Sequence, residues 1–207
     1  METQYGFDVV VNRRNTNCGR WDTMDKKYGK SDMIHLGVAD MDFKAPEEIR
    51  NALHDVLDMG VLGYTDLSDK FFISIQRWYK KQYNMDIPRE WIVFCPRINI
   101  ASSISVETYT EKGDGVIMHT PAYGPLQNAI LKNGRRMLAS PLKKNGERFE
   151  MDFEYMESLV DEHTKMMIMC NPHNPTGRAW TKEELVQAAD FCKKHDLILF
   201  TDEIHGD

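Results

Sequence analysis

From Trp91 onward, short apolar runs alternate with stretches whose apolar residues recur three or four positions apart. The runs Trp91–Phe94, Val116–His119, Arg136–Ala139, Met166–Cys170 and Leu197–Thr201 are each bounded by turn residues and are predicted strands. Between them the spacing predicts helices from Ile98 to about Glu111, over Tyr123–Lys132, over Phe153–Asp161, and from Thr181 to about His195. Gly113 and Asn133-Gly134 stop the first two. Thr181-Lys182-Glu183-Glu184 has the form of a capping box, which opens the last. An apolar run without polar alternation is a strand buried on both faces. The alternation therefore predicts an α/β fold with a mostly parallel sheet in a three-layer arrangement.

Ahead of Trp91 the pattern differs. Residues 1–33 are polar with scattered aromatics (Tyr5, Phe7, Trp21, Tyr28), an extended arm expected to dock on another element. Ile34–Val38 is a short apolar run leading into Ala39-Asp40-Met41-Asp42-Phe43. Pro46 opens a helix in which Ile49, Ala52, Leu53, Val56 and Leu57 form a stripe, and Gly60 ends it. After the turn Gly63-Tyr64-Thr65, a second helix starts near Ser68, with Phe71, Phe72, Ile75, Trp78 and Tyr79 as an expected core stripe. Residues 1–44 are expected to form the arm and part of a small domain, and 45–207 part of a large cofactor-binding domain.

Polar signatures follow four of the predicted strands: Pro96–Asn99, Thr120–Tyr123, Asn171–Gly177 and Asp202–His205. Ligands of open α/β sheets gather beyond the carboxyl ends of strands, so these segments are expected to line one pocket.

Composition narrows the ligand. Lys plus Arg is 26 against 32 Asp plus Glu, a net charge of −6, with no dense basic cluster, which argues against nucleic acid. The four cysteines show no C-x-x-C spacing, and Cys170 falls in a predicted buried strand, as in a reduced intracellular protein. No signal peptide is apparent after Met1, and no apolar run approaches membrane-spanning length, so a cytoplasmic location without membrane contact is expected. The histidines show no metal-ligand pairing, and neither glycine-rich nucleotide motif occurs.

Asn171-Pro172-His173-Asn174-Pro175-Thr176-Gly177, Pro121-Ala122-Tyr123 and Asp202-Glu203-Ile204-His205 together resemble the fold-type I, class I/II aminotransferase superfamily. Ala39–Phe43 is similar to its cystathionine β-lyase/cysteine C–S lyase branch, where ordinary aminotransferases tend to have Gly-x-Pro-Asp-Phe. The resemblance runs over nearly the whole chain and covers the N-terminal half of such an enzyme. It implies pyridoxal 5′-phosphate as cofactor and a small amino acid as substrate. Asp202 is then the carboxylate beside the pyridine nitrogen, Asn174 the donor to the phenolic oxygen, and Tyr123 the ring over the pyridine face. Ile98 and Asn99 occupy the helix start whose N–H groups would meet the phosphate. The family favours smaller residues there. Tyr64 matches the tyrosine that reaches the phosphate of a neighbouring subunit, which implies a homodimer. Ala39 matches the backbone that meets the substrate carboxylate, and His205 either lines the pocket or packs behind it.

The resemblance also implies a Schiff-base lysine some tens of residues past Asp202, and the sequence ends at Asp207. No catalytic residue is therefore assigned within these 207 residues, which are expected to be inactive alone. The expected function is a C–S β-lyase that removes an α-proton and releases pyruvate, ammonia and a thiol. The alternatives are an aminotransferase, or a truncated non-catalytic chain that binds a partner.

Overall fold

The computed structural model describes residues 6–30, 32–37 and 39–206; Val38, the last residue of the apolar run before Ala39, lies outside them, as does Tyr5. The chain forms two compact units, Met1–Trp78 and Tyr79–Asp207.

The second unit is built on four parallel strands: β1 (Gly115–Thr120), β2 (Arg136–Pro141), β5 (Thr164–Cys170) and β6 (Ile198–Asp202), in the order β2-β1-β5-β6. Alternate side chains of each strand enter opposite layers. Val116, Met118, Met166, Ile168 and Cys170 pack with Val106 of α4 (Ile98–Tyr109) and with Leu126 and Ile130 of α5 (Gly124–Leu131). Ile117, Met167 and Met169 pack with Met156 of α6 (Phe153–Leu159) and with Ala188, Phe191 and Cys192 of α7 (Lys182–Lys194). The expected three-layer arrangement is thus present, and the near-continuous apolar runs reflect burial on both faces. The Thr181 hydroxyl accepts from the Glu184 N–H and the Glu184 carboxylate accepts from the Thr181 N–H, completing the capping box.

Two features depart from the sequence reading. Trp91–Phe94 is not a strand. Arg89–Trp91 forms a 3₁₀ turn and the chain then runs extended, with no strand among the described residues pairing with it. Trp91 is 69% and Val93 84% exposed, and an apolar run becomes a strand only with a ladder partner. Between β2 and α6 an unexpected antiparallel hairpin joins β3 (Lys143–Asn145) to β4 (Arg148–Glu150), turning at Gly146 with φ +61°. Its strands are polar, so no apolar pattern announces it; the Asn145-Gly146 pair is the available signal.

In the first unit, α1 (Met24–Tyr28) precedes α2 (Glu47–Asp58), and α3 (Asp69–Tyr83) crosses the division between units. Pro46 is the N-cap of α2, and Gly60 follows its end with φ +73°, a conformation glycine adopts freely. The α3 stripe expected to be core is only partly buried, with Phe71, Phe72 and Ile75 half-buried and Trp78 and Tyr79 exposed. Neither α2 nor α3 has a buried residue, and Ile49, Leu53, Val56 and Leu57 face solvent. The arm is docked, as expected. Arg13 pairs with Asp40 and Asp42, Arg20 with Asp42, and the Trp21 indole N–H donates to Asp42. Phe7 meets Phe43 edge-on at 5.3 Å. The Asp22 carboxylate accepts from the backbone N–H groups of Asn15, Thr16 and Cys18, closing the arm into a loop.

Leu126→Ala, which deletes a fully buried side chain from one face of the sheet, should cost about 3 kcal/mol. The check is the urea midpoint, which should fall at constant m-value; an unmoved midpoint would exclude Leu126 from the core.

Candidate active site

β1, β5 and β6 are adjacent and parallel, so the loops that leave Thr120, Cys170 and Asp202 emerge from one edge of the sheet. The chain goes from β1 outward to β2, then returns past β1 to β5, so the strand order reverses between β1 and β5. Such a switch point opens a crevice at the carboxyl ends of the strands. Thr120–Tyr123 and Asn171–Gly177 flank it.

The short link from α4 to β1, residues 110–114, sends the helix back antiparallel to the strand. At roughly 1.5 Å per residue the helix is ~18 Å long, close to the length of β1, so Ile98 and Asn99 return to the same edge. Ile98 is half-buried and Asn99 exposed. No side chain caps α4, and no acidic residue lies in its first turn. Free N–H groups at an uncompensated helix start suit an anion.

Asp202 ends β6 and is buried, and one carboxylate oxygen accepts from the Ile204 N–H at 3.2 Å. The sheet register carries past the strands, since the Asn171 N–H donates to the Asp202 carbonyl at 2.9 Å. This bond fixes the start of the Asn171–Gly177 loop beside Asp202. The Asn171 side chain turns inward and accepts from the Trp180 N–H at 3.0 Å, while the Trp180 indole N–H donates to the Cys170 carbonyl at 2.8 Å. Asn171 thus shapes the turn, as expected for an Asn before Pro. Within the loop, His173 Nδ1 lies 2.7 Å from Thr176 Oγ1, and the Gly177 N–H donates to the His173 carbonyl at 2.8 Å. Gly177 sits at φ +69°, where a side chain would be strained. Asn174 is half-buried, and its amide has no hydrogen-bond partner among the described residues.

Tyr123 is the N-cap residue of α5 and is partly exposed at the same edge. His205 is exposed beyond β6. Ile98, Asn99, Tyr123, Asn174, Asp202 and His205 therefore all belong to the carboxyl-end edge of the second unit. Tyr64 and Ala39 belong to the first unit. Tyr64, between α2 and α3, is fully exposed; Ala39 is exposed beside the clamped Asp40. Among the described residues no group of His, Cys, Asp and Glu could hold a metal ion, and no helix is long and apolar enough to cross a membrane. All four cysteines are free thiols.

Sequence reading missed His119 and Trp180. Trp180 is buried between two imidazoles, with ring centroids 6.0 Å from His119 and 5.5 Å from His173. Among the described residues neither buried His119 ring nitrogen has a hydrogen-bond partner, nor does the hydroxyl of Ser140, its register neighbour on β2. Burial, with a smaller contribution from His173, pushes the His119 imidazole down to about 4. Burial also lowers His173. A histidine at the end of an apolar run is the only sequence signal for this buried group.

The chain has clear relatives. The model of the family "Aminotransferase class I and II" matches residues 31–207. Cystathionine beta-lyase PatB of Bacillus subtilis is 37% identical over 202 residues, which is 97% of this chain and 52% of that protein. Protein MalY of Escherichia coli is 34% identical over 205 residues, 98% of this chain and 53% of that protein. Cystalysin from Treponema denticola, whose crystal structure contains a pyridoxal 5′-phosphate cofactor, superposes with a TM-score of 0.87 at 35% identity, covering 95% of this chain and 50% of that one. The chain spans about half the length of these relatives.

Because His119 is neutral in the folded protein and titrates near 6.5 when unfolded, its contribution is at its best above pH 6.5 and declines as the pH falls toward 4. The full difference is about 3 kcal/mol. His119→Leu should flatten the loss of unfolding free energy between pH 7 and 4.5; an identical loss in both proteins would show that His119 is not buried as a neutral base. With its fold, its strand-end loops and the family match over residues 31–207, the chain belongs to the class I and II aminotransferase family.

Proposed function

We propose that this chain supplies the cofactor-holding part of a pyridoxal phosphate-dependent C–S β-lyase acting on cystathionine- or cysteine-type amino acids. The observation that carries the reading is the buried Asp202 at the end of β6, whose backbone carbonyl accepts from the Asn171 N–H and so fixes it beside the Asn171–Gly177 loop at the carboxyl-end edge. Bound pyridoxal phosphate supplies an electron sink for the substrate's α-carbon as long as its ring nitrogen keeps a proton.

The donors present fit that group. A buried carboxylate favours the protonated pyridine nitrogen, so Asp202 holds the proton there. Asn174, whose amide has no hydrogen-bond partner among the described residues, donates to the phenolic oxygen. Tyr123 covers one ring face, where an aromatic gains both contact area and stacking geometry. The uncapped start of α4 at Ile98 and Asn99 receives the phosphate through its backbone N–H groups. Tyr64 projects from the first unit and is fully exposed, which leaves it able to reach the phosphate of a second subunit in a homodimer. The Ala39 backbone meets the substrate carboxylate. His205 lines the pocket mouth.

The lyase branch is favoured by Ala39-Asp40-Met41-Asp42-Phe43 and by the likeness to a cystathionine beta-lyase. The overall reaction removes the α-proton, expels the β-substituent as a thiol and consumes one water, giving pyruvate and ammonia.

Two measurements test this. Pyridoxine 5′-phosphate labelled with ¹⁵N in the ring should bind the chain with its nitrogen protonated at pH 8, and Asp202→Asn should lose that signal and about tenfold in affinity. An unprotonated ring in the unmutated chain would remove the assignment of Asp202. For a whole protein that extends past Asp202, product analysis on L-cystathionine should find thiol, pyruvate and ammonia; brisk amino-group exchange with no thiol would instead establish an aminotransferase.

A further inference from the structure

We propose that Arg178 is a positioning residue for the cofactor-facing loop, setting the reach of Asn174 by tying three separate elements together. Its guanidinium donates through Nη1 to the Phe149 carbonyl on β4 and through Nη2 to both carboxylate oxygens of Glu184 in the first turn of α7. The same group lies 4.5 Å above the Trp180 ring. Its backbone carbonyl accepts from the His173 N–H at 2.6 Å, which makes His173 and Arg178 an isolated bridge across the base of the loop. Both Arg178 and Glu184 are largely buried, with side chains 11% and 18% exposed.

Each contact has a distinct consequence. The His173–Arg178 bridge closes the loop on itself, so displacing Arg178 moves the strand-like pair that carries Asn174. The stacking on Trp180 transmits the position of Arg178 to Asn171 and Cys170, which Trp180 holds by its two N–H groups. Glu184 is already committed to the capping box, so the ion pair references the loop to the axis of α7. The Phe149 carbonyl ties the β3–β4 hairpin to the loop, and Arg148 adds an ion pair to the same Glu184 at 3.6 Å. A planar fork is required, because one ammonium cannot chelate Glu184, reach Phe149 and stack on an indole together.

The inference rests on the reading of Asn174 as donor to the cofactor's phenolic oxygen. The probes are pyridoxine 5′-phosphate and its 3-deoxy analogue, alcohols that cannot react with surface lysines. The unmutated chain should bind the first roughly tenfold more tightly, the effect of one hydrogen bond to an ionised oxygen. Arg178→Lys should reduce that preference at least about threefold while leaving the affinity for the deoxy analogue unchanged, and Glu184→Gln should act in the same direction. Amide exchange should rise across residues 171–177 and stay constant in β1 and β5, which separates loop displacement from unfolding. A preference retained in full by Arg178→Lys, or exchange rising equally in the core strands, would overturn the proposal. An unmutated chain with no preference would instead remove Asn174 as the donor, and amide exchange at 171–177 would then decide whether Arg178 holds the loop.

Discussion

Burial of the central sheet on both faces is the constraint from which the rest of the second unit follows. With Val116, Ile117, Met118 and Met166–Cys170 enclosed by helices above and below, no polar group can be presented from the middle of a strand without a compensating partner. Polar chemistry is confined to the ends. Because the strands are parallel, their carboxyl ends coincide, and the reversal of strand order between β1 and β5 keeps the helices there from closing over the edge. His119 marks the limit of this rule. One residue before the end of β1, it is already deep enough to lose its charge.

Much of this could be read from the residues, for identifiable reasons. The four sheet strands and helices α4 to α7 were legible because uninterrupted apolar runs and helical spacing reflect burial directly. The loop Asn171–Gly177 and Asp202 were legible because they interrupt those runs at positions where a parallel sheet ends. What failed depended on partners. Trp91–Phe94 has the composition of a strand but no ladder, and the α3 stripe has amphipathic spacing but is only partly buried. The β3–β4 hairpin went unseen because Lys143–Asn145 and Arg148–Glu150 have no apolar face to alternate. Trp180 and Arg178 were missed for a different reason: each acts by meeting residues from several elements, and such convergence has no local pattern.

The arm shows the same limit in the first unit. Its polar composition gives no periodicity, yet Arg13, Arg20, Trp21 and Phe7 all converge on Asp40–Phe43. Single exposed ion pairs contribute little. Here two guanidinium groups, an indole and a ring contact act on one four-residue segment, so their geometric constraint matters more than any one pair. The acidic residues that distinguish this segment are thereby accounted for as anchors for the arm.

The tie through Arg178 has a consequence for the order in which the protein is assembled. Phe149, Arg178 and Glu184 come from a hairpin, a loop and a helix start, and the first is separated from the second by all of α6 and β5. Contacts over such chain distances form only after the intervening segments have closed, because loop entropy must be met first. The Phe149–Arg178 contact therefore waits on α6 and β5, which lie between its two ends. A chain that has not made it would lack a competent pocket, and ligand binding would select the completed state.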